Sequence, residues 1–295
     1  MVLQPDVQRV LVPAKGHVVA ADVHLRNDER PPVVFLHGIL TTVAVAPRLF
    51  EDPAGESWIA LSLPGHHPGR LAAATSPTAL DVDAMADLVE AALEAVVGGR
   101  RVLAVGWSTG GFAALALAAR HPRRVAAVAS LAGFARGDRI TGSVGWLAWM
   151  ARGTIGAPAL RGGLWLGGRW PWLHDAIVRS CAADPAAAAS LSPDLLGSLH
   201  REFVLHDPAA LAVTLAALAS LDLMPRLGDV RCPAWIVAGG RDPLVPRAEA
   251  HLLAARIPAA RLTVYEAGGH LFFHEWPGFR RDFAGWRREV SAPLR

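Results

Sequence analysis

The sequence predicts an α/β fold: a doubly wound, mostly parallel sheet of about eight strands, interrupted by one helical insertion. Three observations carry this expectation. Short apolar runs alternate with helical patterns along most of the chain. A G-x-S-x-G segment, Gly106 to Gly110, joins an apolar strand directly to an apolar helix. The alternation then stops between Phe134 and Ala216, a stretch rich in Gly, Ala, Leu and Trp.

Taken in order, residues 8–13 and 17–25 are of β type, and the polar run Arg26-Asn27-Asp28-Glu29-Arg30 turns the chain. Pro31-Pro32 leads into Val33–Leu36, a continuous apolar run of the kind a buried parallel strand needs. Residues 57–63 are a second such run, closed by Pro64-Gly65. Residues 77–97 are helical: Leu80, Ala84, Leu88, Ala91 and Ala95 share a face, Asp81, Asp83 and Asp87 lie toward the start, and Gly98-Gly99 stops it. Residues 101–106 form a strand, 109–120 an Ala-rich helix ended by His121-Pro122, and 125–131 a strand. Residues 233–238 and 261–265 are strands flanking a helix at 247–256, and 277–290 is a closing helix. Strands alternating with helices imply parallel crossovers. The expected division is a core of residues 1–133 and 217–295 with several short helices inserted at 134–216.

Of the 295 residues, 52% are hydrophobic and 19% charged, a composition that folds and buries a large core. The net charge of +3 rests on Arg, Lys15 being the lone lysine. The pairs Arg100-Arg101, Arg123-Arg124, Arg280-Arg281 and Arg287-Arg288 flank predicted elements and read as their solvated ends. Such scattered pairs form no basic stripe, so no nucleic-acid partner is expected. Cys181 and Cys232 have neither C-x-x-C nor zinc spacing, which argues against a metal site and for buried thiols. Residues 1–6 show no basic segment followed by an apolar one, and the longest apolar stretch, 209–223, is shorter than the ~20 residues of a membrane span. A cytoplasmic protein without a membrane span is expected.

The glycines of Gly106-Trp107-Ser108-Thr109-Gly110 have a mechanical meaning. A strand–turn–helix this tight has no room for a Cβ two residues either side of the serine, and it forces Ser108 into strained geometry with its hydroxyl exposed. The helix start beside it favours developing negative charge. Ser108 is therefore the candidate nucleophile, and the N–H of Thr109 a candidate oxyanion donor.

In this setting the chain resembles the α/β-hydrolase superfamily over nearly its whole length, specifically its serine esterase branch. The resemblance implies three further assignments. Val33-Val34-Phe35-Leu36-His37-Gly38 looks like the strand and loop that lend the second oxyanion N–H, here from Ile39. Gly239-Gly240-Arg241-Asp242-Pro243-Leu244-Val245-Pro246 looks like the acid loop, with Asp242 the acid; Asp138, after the 125–131 strand, is the rival, and Asp222 and Asp229 precede the strand. Gly269-His270, followed by Glu275 and Pro277, looks like the segment that carries the base, His270, with His274 one helical turn away. The order Ser108, Asp242, His270 is that of the fold.

The resemblance also places residues 134–216 as a cap over the site. Its tryptophans, with Trp146 and Trp149 foremost, suggest an apolar pocket, together with Trp107 and His37; for His37, a residue that shapes its loop by hydrogen-bonding the backbone is the preferred reading over a second catalytic histidine. Trp107 resembles the G-W-S-x-G-G of esterases acting on acyl-carrier methyl esters. Leu63-Pro64-Gly65-His66-His67-Pro68-Gly69 is similar to the family's Pro-Gly-His-Gly loop, except that His67 replaces the second Gly. The implied activity is hydrolysis of a small-molecule ester or thioester through an acyl-enzyme, with no dissociable cofactor and no metal. Lactonase, cofactor-free C–C hydrolase or lyase, and non-catalytic binding on the same fold remain alternatives.

Overall fold

The computed structural model describes residues 7–27, 30–153 and 155–291. Residues 1–6, on which the expectation about a secretion signal rests, and Asp28 and Glu29 of the predicted turn lie outside the described residues. Eight strands form one sheet in the order β1-β2-β4-β3-β5-β6-β7-β8. β1 (Gln8–Ala14) and β2 (His17–His24) make an antiparallel hairpin, and β2 runs antiparallel to β4 (Trp58–Leu61). From there β3 (Val33–Leu36), β5 (Val102–Trp107), β6 (Val125–Leu131), β7 (Ala234–Gly239) and β8 (Ala260–Tyr265) continue in parallel. β3, β4, β5 and β7 are buried at every residue, as strands covered on both faces must be. The edge strand β1 buries only Val12 and Ala14.

The strand order fixes where a site can form. The chain passes from β3 outward to β4, then back across β3 to β5. Loops leaving the carboxyl ends of β3 and β5 therefore part toward opposite faces and leave a crevice between them.

Helix α1 (Val82–Val97) starts where the Asp81 carboxylate accepts the Ala84 N–H at 2.8 Å. It stops at Gly98, whose φ of +55° suits a residue without Cβ. Pro77–Ala79 is a separate 3-10 turn, because the cap belongs to Asp81 and the predicted helix begins only after it. Helix α2 (Thr109–Arg120) is buried from Thr109 through Ala119, and its Gly and Ala surface lets it lie close under β5 and β6. Arg124 departs from the expectation of solvated arginine pairs. It is buried, donates to the Glu90 and Glu94 carboxylates and to the Gly98 and Arg100 carbonyls, and so ties the end of α1 to the strand mouths.

Between β6 and β7 the chain forms α3 (Gly142–Ala151), α4 (Gly156–Arg169), α5 (Pro171–Arg179), α6 (Pro185–Ser190), α7 (Pro193–Phe203) and α8 (Pro208–Leu218). Proline opens α5 through α8, and Asp184, Ser192 and Asp207 cap the last three with side-chain oxygens. Helix α8 runs past Ala216 to Leu218, and a backbone bridge between Arg136 and Asp222 closes the two ends of the insertion. The chain returns to the core with α9 (Arg247–Arg256), the short α10 (Phe272–Glu275) and α11 (Phe279–Ser291). Both cysteines are free and buried.

Candidate active site

β5 ends at Trp107, α2 begins at Thr109, and Ser108 between them has φ +56° and ψ −118°. A Cβ on Gly106 would overlap the Gly110 carbonyl, and one on Gly110 would overlap the Leu36 carbonyl. The glycines thus permit the closeness and the serine bears the strain. Backbone bonds hold it there: Ser108 N–H donates to the Leu131 carbonyl at 2.8 Å and its own carbonyl accepts from Phe112 at 3.1 Å.

Asp242 follows β7 and His270 follows β8, which brings both to the same sheet edge. His270 Nδ1–H donates to Asp242 Oδ2 at 2.7 Å. Asp242 Oδ1 accepts from the N–H groups of Leu244 and Val245 at 2.8 and 3.0 Å, so the carboxylate is held on both sides. That leaves His270 Nε2 as the free nitrogen. The His270 backbone is clamped as well: its N–H donates to the Cys181 carbonyl at 3.1 Å, and its carbonyl accepts from the Trp107 indole at 2.9 Å. Glu275 accepts from Leu271 N–H in the same loop and from Ala183 N–H in the insertion. Ser108 Oγ makes no hydrogen bond among the described residues; such contacts tighten when a substrate carbonyl arrives.

The rival residues lie elsewhere. Asp138 is half exposed and pairs with Arg136 at 2.6 Å. Asp222 caps the Met224 N–H, and His274 pairs with Ser190 Oγ.

Gly38 packs so near Ser108 that a Cβ there would sit 3.1 Å from the Trp107 ring and 3.4 Å from Ser108 Cβ. Beyond it, Leu40 N–H donates to His66 Nε2 at 3.1 Å and Thr41 N–H to the Gly38 carbonyl at 3.3 Å. Among the described residues the N–H groups of Ile39 and Thr109 have no partner, as an oxyanion hole requires. His37 is not on the cavity wall, which corrects its expected substrate contact. Its Nδ1–H donates to the Gly38 carbonyl at 2.8 Å and its Nε2 accepts from Leu63 N–H at 3.1 Å, so both nitrogens are spent on the loop. Burial pushes its pKa down to about 3. His67 is accommodated in place of glycine because the positive φ of this loop falls at Gly65 instead.

Ser108 and His270 open into a cavity of about 190 Å³ whose wall is mostly apolar. The core contributes Ile39, Arg48, Trp107, Leu244 and Phe273, and the insertion contributes Val144, His174, Ile177, Val178 and Phe203. Cys181 also lines it, but burial and the neighbouring Asp242 charge push its thiol up to about 12, so it stays protonated. Trp146 and Trp149 are absent from this wall, contrary to expectation. They are 59% and 65% exposed, because α3 buries its other side: Val144, Leu147, Ala148 and Ala151. Arg48, Phe273 and Val144 carry no motif, and α3 is apolar on nearly every side, so no sequence signal marked its inner face. Among the described residues no group of three His, Cys, Asp or Glu side chains gathers as a metal site would need.

The sequence profile of the alpha/beta hydrolase family matches residues 33–281, a span that includes every residue of the site. The chain belongs to the α/β-hydrolase family. This hydrolase is 33% identical over 247 residues to a pimeloyl-[acyl-carrier protein] methyl ester esterase of Chromobacterium violaceum, covering 82% of this chain and 88% of the relative. It is 31% identical over 269 residues to the esterase of the same name from Aromatoleum aromaticum, covering 84% and 94%. A thermophilic esterase from Thermogutta terrifontis shares the hydrolase fold with a TM-score of 0.74 at 19% identity, covering 97% of this chain and 100% of the other. An enol-lactonase from Burkholderia xenovorans shares it with a TM-score of 0.72 at 21% identity, covering 95% and 98%. Family and relatives together place the hydrolase in the serine esterase branch.

Proposed function

We propose that this α/β-hydrolase cleaves carboxylic esters of moderately apolar acids through an acyl-enzyme on Ser108. The observation that carries the reading is the 2.7 Å bond between Asp242 and His270 at the rim of the apolar cavity that holds the strained serine. His270 Nε2 takes the Ser108 proton as Oγ attacks the ester carbonyl. The Ile39 and Thr109 N–H groups stabilise the oxyanion, an effect worth ~3–4 kcal/mol per donor. His270 then returns the proton to the departing alcohol and activates the water that releases the acid. Asp242 fixes the tautomer and stabilises the imidazolium.

In this reading residues 134–216 act as a cap whose inner residues, Val144, Ile177, Val178 and Phe203, close the acyl pocket. The names of the relatives, and Trp107 beside the nucleophile, favour a methyl ester of a carrier-bound acyl chain. Among the described residues no helix is long and apolar enough to cross a membrane; a cytoplasmic location is part of the proposal and cell fractionation tests it. The deciding experiment is labelling with a fluorophosphonate followed by peptide mapping. Label on Ser108, lost in Ser108→Ala, supports the acyl-enzyme; folded protein that takes no label refutes it. A panel of methyl esters, thioesters and lactones then ranks the substrates.

A further inference from the structure

The cavity wall carries a cation that ester hydrolysis does not use. Arg48 belongs to the 3-10 turn Val43–Leu49 and lines the same cavity as Ser108 and His270. Its guanidinium lies 5.2 Å from the centre of the Phe273 ring. Phe273 packs on Trp107 at 5.6 Å, and Trp107 on His270 at 5.4 Å. Two aromatic rings thus separate the guanidinium from the base, which sets it toward the far end of a bound substrate.

Arg48 is poorly satisfied. Its side chain has one polar contact, a long 3.4 Å bond to Ser198 Oγ, and among the described residues no carboxylate lies within ion-pair distance. The charge that bears on it is Arg280, another cation. Glu202 also lines the cavity, but its carboxylate accepts from the Thr42 hydroxyl at 3.0 Å and acts on Arg9 and His67 instead. Arg201, a more exposed cation with no ion pair among the described residues, reaches the same wall. A half-buried guanidinium without an anion is costly, and its planar fork matches carboxylate or phosphate oxygens.

The geometry points to a second subsite in the cavity, in which Arg48, aided by Arg201, binds an anionic group, carboxylate or phosphate, at the end of the substrate remote from the ester. This rests on the proposed esterase reading and narrows its substrate class to esters that carry an anion, a carboxylate or a phosphate, at the end remote from the ester.

The test uses methyl esters of linear acids of increasing length, each ending in methyl, carboxylate or phosphate. At the length that reaches Arg48, the anionic ester should exceed its neutral isostere in kcat/KM by about ten- to a hundredfold. Phosphate above carboxylate, or the reverse, identifies the anion. The preference should collapse in Arg48→Met, return in part in Arg48→Lys, and weaken in Arg201→Gln. A wild-type enzyme that turns over the neutral isosteres as well or better at every length overturns the subsite, whether or not Arg48→Met folds. So does an Arg48→Met enzyme that loses equally on both series. Neutral esters cleaved without anion preference defeat this inference alone, whereas failure to cleave any ester defeats the esterase reading too.

Discussion

The indole of Trp107 donates a 2.9 Å hydrogen bond to the backbone carbonyl of His270. Trp107, the residue before Ser108, therefore holds the loop of His270, and the two rings pack at 5.4 Å. Trp107→Phe keeps most of the packing and removes the donor. A neutral hydrogen bond is worth about 1 kcal/mol, so kcat on a p-nitrophenyl ester should fall roughly fivefold. KM and the melting temperature should change little. An effect confined to KM would show that Trp107 is only a wall.

Asp242→Asn should lower kcat by roughly 10³–10⁴-fold with the fold intact, because His270 loses the acceptor that fixes its tautomer. His270→Ala should be as severe. Asp138→Asn breaks only a surface ion pair with Arg136, and its kcat should match wild type. Circular dichroism and ester kinetics on the three variants decide the assignment; damage from Asp138→Asn with a mild Asp242→Asn would reverse it.

Acid should unfold the protein through the histidines behind the oxyanion loop. Burial foremost lowers His37 to about 3 and His206 to about 4, against 6.5 for an exposed histidine. The unfolded chain therefore binds more protons once the pH drops below 6.5. Stability is fully present above that value and is lost progressively as the pH falls toward 4 and then 3. Urea midpoints measured from pH 8 to pH 4.5 should decline, and His37→Gln, which does not titrate, should flatten the slope. A constant midpoint across this range would contradict the neutral-histidine account.

The acyl pocket should be set by the inner side of α3, not by its tryptophans. Val144→Trp fills part of the cavity and should move the best p-nitrophenyl ester to a shorter chain. Each excluded methylene forfeits ~0.8 kcal/mol of burial, a few-fold in kcat/KM. Trp149→Ala, on the solvent side, should leave the chain-length profile where it was. The opposite pair of results would show that α3 turns its tryptophans inward when substrate binds.

The sequence was most legible where sterics demand particular residues. Gly106 and Gly110 stand where a Cβ would strike backbone, so the nucleophile turn is written in the chain itself. Strands buried on both faces leave unbroken apolar runs, and β6 and α9 match their predicted bounds. The insertion was legible only as a break in rhythm. Helices α3 and α8 are apolar nearly all round, so periodicity could not say which side of them faces the cavity. Large aromatic side chains were expected inside, and smaller neighbours fill that space instead. Arg124 was hidden because its burial depends on Glu90 and Glu94 one helix earlier. Arg48 was hidden because its position is defined by Phe273, from the far end of the chain.

The ten tryptophans divide by solvent access along the same line as the chain. Trp58, Trp107, Trp235, Trp276 and Trp286 of the sheet region are at most 4% exposed, whereas Trp146, Trp149, Trp165, Trp170 and Trp172 of the insertion are at least 45% exposed. The protein is consequently its own two-part fluorophore. A dissolved quencher such as acrylamide reaches the red-emitting half and spares the blue-emitting half, so a movement of the insertion and the melting of the sheet register as separate optical signals without any added label.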